Sequence, residues 1–116
     1  MRYMLIIAED ETVYEGEVGK KRLMEVVAKH MALGDELRAA GVEWSGAGLQ
    51  PVATATTVRN ADGAQSLHDG PFAETKEQLG GFYMVDVPDL DAAIAWARKI
   101  PTPGGGSVEV RPVAQY

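Results

Sequence analysis

The chain has 116 residues, 46% of them hydrophobic, with both signs of charge interspersed and a net charge of −6. That length and balance predict one globular domain, residues 1–116, rather than a fibrous or disordered chain, and the acidity disfavours contact with a nucleic-acid backbone. No run approaches the ~20 apolar residues that span a bilayer, and the start at Met1 runs into an apolar segment without a small-residue cleavage site, so no membrane partner and a cytoplasmic location are expected. With no cysteine, disulfides, thiolate nucleophiles and zinc–thiolate sites are excluded, leaving histidine, carboxylates, hydroxyls and backbone groups for any chemistry.

Tyr3 to Ala8 is an apolar run of strand length, followed by Glu9-Asp10-Glu11, which reads as an exposed acidic connection. From Lys20 to Ala40 the period becomes helical. Leu23, Val27, Gly34 and Leu37 recur on one face, His30 falls on that stripe, and Gly41 is a natural stop. Lys20, Lys21 and Arg22 at the helix start read as a solvated face. A weak strand, Val42 to Ser45, leads to a loop at Gly46-Ala47-Gly48-Leu49-Gln50-Pro51.

Ala53 to Arg59 and Ala64 to His68 flank Asn60-Ala61-Asp62-Gly63, which predicts a hairpin with a four-residue turn. The segment Glu74 to Gln78 has helix-forming residues but is too short to stand alone, and Gly80-Gly81 ends it. Phe82 to Val87 is the clearest strand. Asp89 is an N-cap for a helix presenting Leu90, Ala93, Ile94, Ala97 and Ile100, closed by Pro101, and a last strand runs Val108 to Val113. The order β-α-β, hairpin, β-α-β predicts an α+β, ferredoxin-like fold with an inserted β-hairpin. Its helices cover one sheet face only, so a second copy over the other face, a homodimer, is expected from burial.

Three residues are candidates for chemistry. His30 is aimed inward, with small Gly34 one turn away, and an imidazole beside a carboxylate acts as acid or base near neutral pH; a core histidine bonded to a carbonyl is the bland alternative. Asp69 lies two residues before Pro71, which has no N–H, so its commonest local bond is closed to it. It either caps a helix entry at Phe72 or serves a site. Asp10 ends the first strand, where loops carry function, although loop acids are mostly solvated. His68 and Asp69, adjacent on a strand, point to opposite faces and form no dyad. Gly46-Ala47-Gly48 has Pro51 where a dinucleotide loop needs glycine, and there is no P-loop, nucleophile elbow or paired-histidine motif, so neither a cofactor nor a metal is predicted.

The run Asp69-Gly70-Pro71-Phe72-Ala73-Glu74-Thr75-Lys76-Glu77-Gln78-Leu79-Gly80-Gly81, with Val87-Pro88-Asp89-Leu90-Asp91 after it, resembles the signature of DGPF-domain proteins of the YCII-related family. The resemblance continues through Trp96, Ala97, Ile100-Pro101 and Gly106 to Pro112, and upstream through Gly48-Leu49-Gln50-Pro51, so it covers nearly the whole chain. It implies a dimeric α/β barrel. It also implies an active-site dyad of a histidine on the first long helix and an aspartate just after the first strand, positions that His30 and Asp10 match. Dehydrochlorination of a hydroxylated aromatic ring is an activity in a distant member, and some members resemble partners of extracytoplasmic-function sigma factors.

Two functions are therefore weighed. One is a small lyase or isomerase with His30 as general base, Asp10 or Asp69 orienting it, and a small carbonyl or aromatic substrate. The other is a noncatalytic ligand-binding or interaction module, accessory to a sigma factor.

Overall fold

The computed structural model describes residues 1–116. Strands β1 (Arg2–Glu9), β2 (Glu43–Gly48), β5 (Gln78–Asp86) and β6 (Ser107–Pro112) form one sheet in the order β2-β5-β1-β6, antiparallel at every junction. Helices α1 (Gly16–Ala39) and α2 (Leu90–Ala97) provide the crossovers, and β3 (Thr56–Ala61) with β4 (Ala64–Asp69) forms a separate two-stranded hairpin. This is the ferredoxin-like arrangement with the hairpin inserted between its two β-α-β halves. Neither helix is long and apolar enough to cross a membrane.

The apolar run in β1 is continuous because both of its faces meet apolar neighbours. Tyr3, Leu5 and Ile7 are buried beneath the helices with Tyr83 and Val85 of β5, Leu33 and Leu37 of α1, and Ala93 and Ala97 of α2. Met4, Ile6 and Ala8 alternate to the opposite face. There Met4 lies opposite Met84, and Ile6 opposite Phe82, and all four side chains stay partly exposed on a face that no helix covers.

Several predicted boundaries move, each for a local reason. Helix α1 begins at Gly16, earlier than the pattern implies, and its buried stripe is Gly19, Val26, Leu33, Gly34 and Leu37. Leu23 and Val27 are instead 45% and 48% exposed. Gly34 and Leu37 of the expected stripe are buried, and at Gly34 the helix lies so close to the sheet that a Cβ there would lie 2.9 Å from the Trp44 indole, while the buried row shifts to Val26 and Leu33 in place of Leu23 and Val27. Gly46 to Gly48 is no loop but the second half of β2, paired with Phe82, Tyr83 and Gly81. Nor do Gly80 and Gly81 end an element: both lie inside β5, and Gly80 is the extra residue where the register slips between Ile7↔Gly81 and Ala8↔Leu79.

The hairpin turn is tighter than four residues. Asn60 and Ala61 pair with Gln65 and Ala64, leaving Asp62 and Gly63 as a two-residue turn with φ of 50° and 79°. Positive φ at both positions is what twists a hairpin correctly, and Asp-Gly supplies it. No helix follows Pro71, so a capping role for Asp69 has no helix to cap. Asp89 does cap α2, its carboxylate accepting from Ala92 N–H at 2.9 Å. No residue of the hairpin belongs to the buried core, and the radius of gyration is 16.0 Å, against about 13 Å for a compact chain of this length.

The rotated stripe gives a paired test. Leu37→Ala, at a fully buried site, is expected to lower unfolding stability by about 2–5 kcal/mol. Leu23→Ala is expected to cost under about 1 kcal/mol. Denaturant unfolding of both variants measures the contrast, and equal losses would contradict the observed packing.

Candidate functional site

Strand β5 presents Tyr83 to the helix-facing side, in the same row as buried Val85. Helix α1 brings His30 above it, one turn from Val26 and from Leu33, at the margin of the buried stripe. His30 Nδ1 lies 2.6 Å from Tyr83 Oη, and the two rings stack with centroids 5.7 Å apart. Trp44 of β2 packs on the other side of the layer, its ring 5.6 Å from that of Tyr83. Gly34, by lacking a Cβ, admits the indole under the helix. His30, Tyr83 and Trp44 thus form one aromatic layer between α1 and the sheet.

The second nitrogen of His30 has no protein partner. No buried side-chain nitrogen or oxygen in the chain lacks a partner, so this Nε2 is not sealed from solvent. Burial pushes the imidazole below its ordinary value, with the charge of Glu9 acting in the opposite sense. Burial also raises the Tyr83 phenol. At neutral pH the pair is therefore an uncharged imidazole held by an uncharged phenol.

The three consecutive acids at the end of β1 each have a separate task. Glu9 Oε1 accepts from the Tyr14 hydroxyl at 2.8 Å, and the Tyr14 phenol is raised by burial and by this bond. Asp10 Oδ1 accepts from Thr12 N–H at 3.0 Å and from Thr12 Oγ1 at 2.7 Å, capping the 3-10 turn Glu11–Tyr14. Those two bonds hold its carboxyl below the usual range. Glu11 Oε1 accepts from Val52 N–H at 2.9 Å and ties this corner to the segment ahead of the hairpin. The expected exposed acidic connection is thus a folded corner.

The sequence-predicted residues are not joined to one another. No hydrogen bond or salt bridge links Asp10 to His30, and Asp69 sits exposed at the end of β4, opposite Thr56, its side chain in no such bond. His68 is likewise exposed on the hairpin. Sequence reasoning missed Tyr83 and Glu9. The alternation of β5 marks Tyr83 as inward-facing, but only the pairing of β2 with β5 and the seating of α1 bring it under His30. Open depressions of about 540 Å3 at the chain ends and about 340 Å3 between α2 and β6 include none of these residues. No cluster of three or more His, Asp or Glu side chains has the arrangement of a metal site.

Comparison with known proteins places the sequence in one family. The sequence model of the YCII-related domain matches residues 1–116. An uncharacterised protein of Rhizobium meliloti (strain 1021) is 50% identical over 70 residues, which are 59% of this chain and 56% of that relative. The chain therefore spans little more than half of the relative's length.

The buried, neutral His30 makes stability depend on pH. Its folded value lies below the unfolded one, so the unfolded chain takes up the proton first as pH falls. Stability is therefore lost downward from the ordinary histidine value of about 6.5 until the folded value is reached. Asp10 acts separately and lower, since its depressed carboxyl loses its stabilising effect only below the usual aspartate range. Thermal unfolding is expected to show a declining midpoint below about pH 6.5, and His30→Gln is expected to flatten that limb. An unchanged slope in the variant would contradict the assignment.

Proposed function

The chain belongs to the YCII-related domain family, and on that premise we propose that it binds a small molecule at His30 and acts on it as a lyase or isomerase, with His30 as general base. The observation that carries this reading is the division of labour on one imidazole: Nδ1 is fixed by Tyr83 at 2.6 Å, while Nε2 is not sealed from solvent. When Nδ1–H donates to Oη, Nε2 keeps its lone pair. On taking a proton from a ligand, the ring becomes imidazolium and the bond to Tyr83 stays in place, so no rearrangement accompanies the transfer. Tyr83 orients the base in the way the sequence expectation assigned to Asp10 or Asp69. The substrate class we infer is a small carbonyl or aromatic compound, since the imidazole that would meet it belongs to a layer of packed aromatic rings with Tyr83 and Trp44.

The decisive test is a screen of small carbonyl and aromatic compounds by melting shift and turnover, parent against His30→Ala. Loss of general-base catalysis is expected to lower the rate by roughly 10²–10⁴-fold, with the ligand-induced melting shift reduced. A variant that binds and turns over every compound like the parent sinks the reading.

The open face of the sheet supports a homodimer. Met4, Ile6, Phe82 and Met84 form a contiguous apolar patch flanked across β6 by Glu109 and Arg111, opposite Ile6 and Met4. A second copy buries this patch against its own equivalent, which closes the assembly by a two-fold axis. Sedimentation at micromolar concentration is expected to give a dimer, and Ile6→Asp a monomer. A monomeric parent would contradict it.

A second reading, an interaction module without catalysis, is favoured by the hairpin. Val58 and its cross-strand partner Leu67 are exposed, Leu67 at 76%, and Phe72 beyond the hairpin is exposed as well. A sigma factor is the partner that the family resemblance suggests for such a surface. In that case, replacing Leu67 by Ser removes function while His30→Ala preserves it.

A further inference from the structure

Helix α1 packs on the sheet along its buried row and carries a second apolar row that faces solvent. Met24 is 74% exposed and Met31 69%, and Leu23 and Val27 keep about half of their surface open. Steps of three, four and seven residues put Met24, Val27 and Met31 on one face, with Leu23 beside them. The position one turn from both methionines is Ala28, so no charge interrupts the row. A contiguous apolar stripe on the outside of a helix that already has a packed side marks a contact surface.

The row is closed at each end by an ion pair. Lys20 Nζ lies 3.6 Å from Glu17 Oε1 ahead of it, and Arg38 Nη1 lies 3.0 Å from Asp35 Oδ1 beyond it. Glu17, Met24, Met31 and Arg38 follow one another at seven-residue spacing, and Lys20 and Asp35 lie four residues outside the methionines, so all six share the exposed face.

The order of these charges identifies the occupant. Glu17 and Arg38 are equally far from the midpoint between Val27 and Ala28, as are Lys20 and Asp35, and Met24 and Met31. A second α1 laid antiparallel over that midpoint therefore brings Glu17 level with the second copy's Arg38, Lys20 level with its Asp35, and methionine level with methionine. A parallel copy would set each charge against its own kind. Antiparallel order also sets the helix dipoles head to tail.

We propose that the outer face of α1 is a self-pairing surface, on which a second copy docks its own α1 antiparallel about a two-fold axis between Val27 and Ala28. This face belongs to the helix layer and the Met4–Ile6 face to the other side of the sheet, so one chain can make both contacts. The seam from Glu17 to Arg38 is ~32 Å long and one helix wide, less than the ~1,200 Å2 of a standard interface. It is accordingly a weak contact, which joins dimers as the concentration rises well above micromolar.

The chain has no cysteine, so one introduced thiol reports the contact without background. Val27→Cys stands beside the axis and is expected to form a covalent dimer under mild oxidation of concentrated protein. Glu25→Cys, exposed on α1 but off the seam, is expected to stay uncrosslinked. The Val27→Cys cross-link is expected to persist when Ile6→Asp is added, which separates it from the sheet contact. Lys20→Glu is expected to slow it at least about twofold, since two exposed ion pairs are lost in each contact, and adding Asp35→Lys to restore it. Amide spectra report that each variant is folded. Val27→Cys that cross-links no faster than Glu25→Cys overturns the proposal and leaves the row to a different protein. A rate indifferent to Lys20→Glu, or a loss that Asp35→Lys fails to restore, overturns the antiparallel order.

Discussion

Strand β1 pairs with β5 along its whole length, from Arg2↔Asp86 to Glu9↔Gln78, and this ladder sets the position of everything else. Because paired residues on adjacent strands point the same way, the register that places Leu5 beside Tyr83 puts both rows under the helices. A slip by one residue would turn Tyr3, Leu5 and Ile7 outward and leave α1 with nothing to rest on. The sheet tolerates one irregularity, at Gly80, and places it where the apolar core ends and the acidic corner begins. Below that point β5 and β1 share a core; above it the side chains are Gln78 and Glu9. The change from an apolar core to a hydrogen-bonded polar corner coincides with a single inserted residue.

The site is assembled by contacts that are short in space and long in sequence. His30 and Tyr83 are 53 positions apart, and their bond requires α1 to lie close over the sheet. Gly34 and Trp44 set that height. The same approach that makes the imidazole half-buried removes part of its water and lowers its proton affinity, so packing and proton affinity are one effect seen twice. Desolvation from the helix and the charge of Glu9 oppose each other at this ring.

The element order and the fold were legible in the sequence because they rest on local periodicity: the apolar run Tyr3 to Ala8, the helical recurrence through Leu37, the Asp89 cap. The errors arose where glycine was read as punctuation. Gly46, Gly48, Gly80 and Gly81 look like loop residues in one dimension, but in the sheet they permit close strand approach and a bulge, which depends on what lies opposite. His30 was legible only as a residue near the packed side of α1, since Leu23 and Val27 of its expected stripe are exposed while Gly34 and Leu37 are buried. Its partner was not, because nearby acids are conspicuous in a sequence and a tyrosine on a distant strand is not. Asp10 drew notice for its place after β1, and that place is explained by two bonds to Thr12.

The hairpin of β3 and β4 has a different standing from the rest of the molecule. Its two ends are held to each other by the bond from Gly70 N–H to Ala55 O at 2.7 Å, the segment ahead of it is tied to the body at Glu11 through Val52 N–H, and its own register is set by the Asp62-Gly63 turn. No core residue depends on its length. Evolution is accordingly free to lengthen, shorten or rewrite this arm while the sheet and helices stay fixed, so the hairpin is where members of one family can acquire separate identities without relearning how to fold.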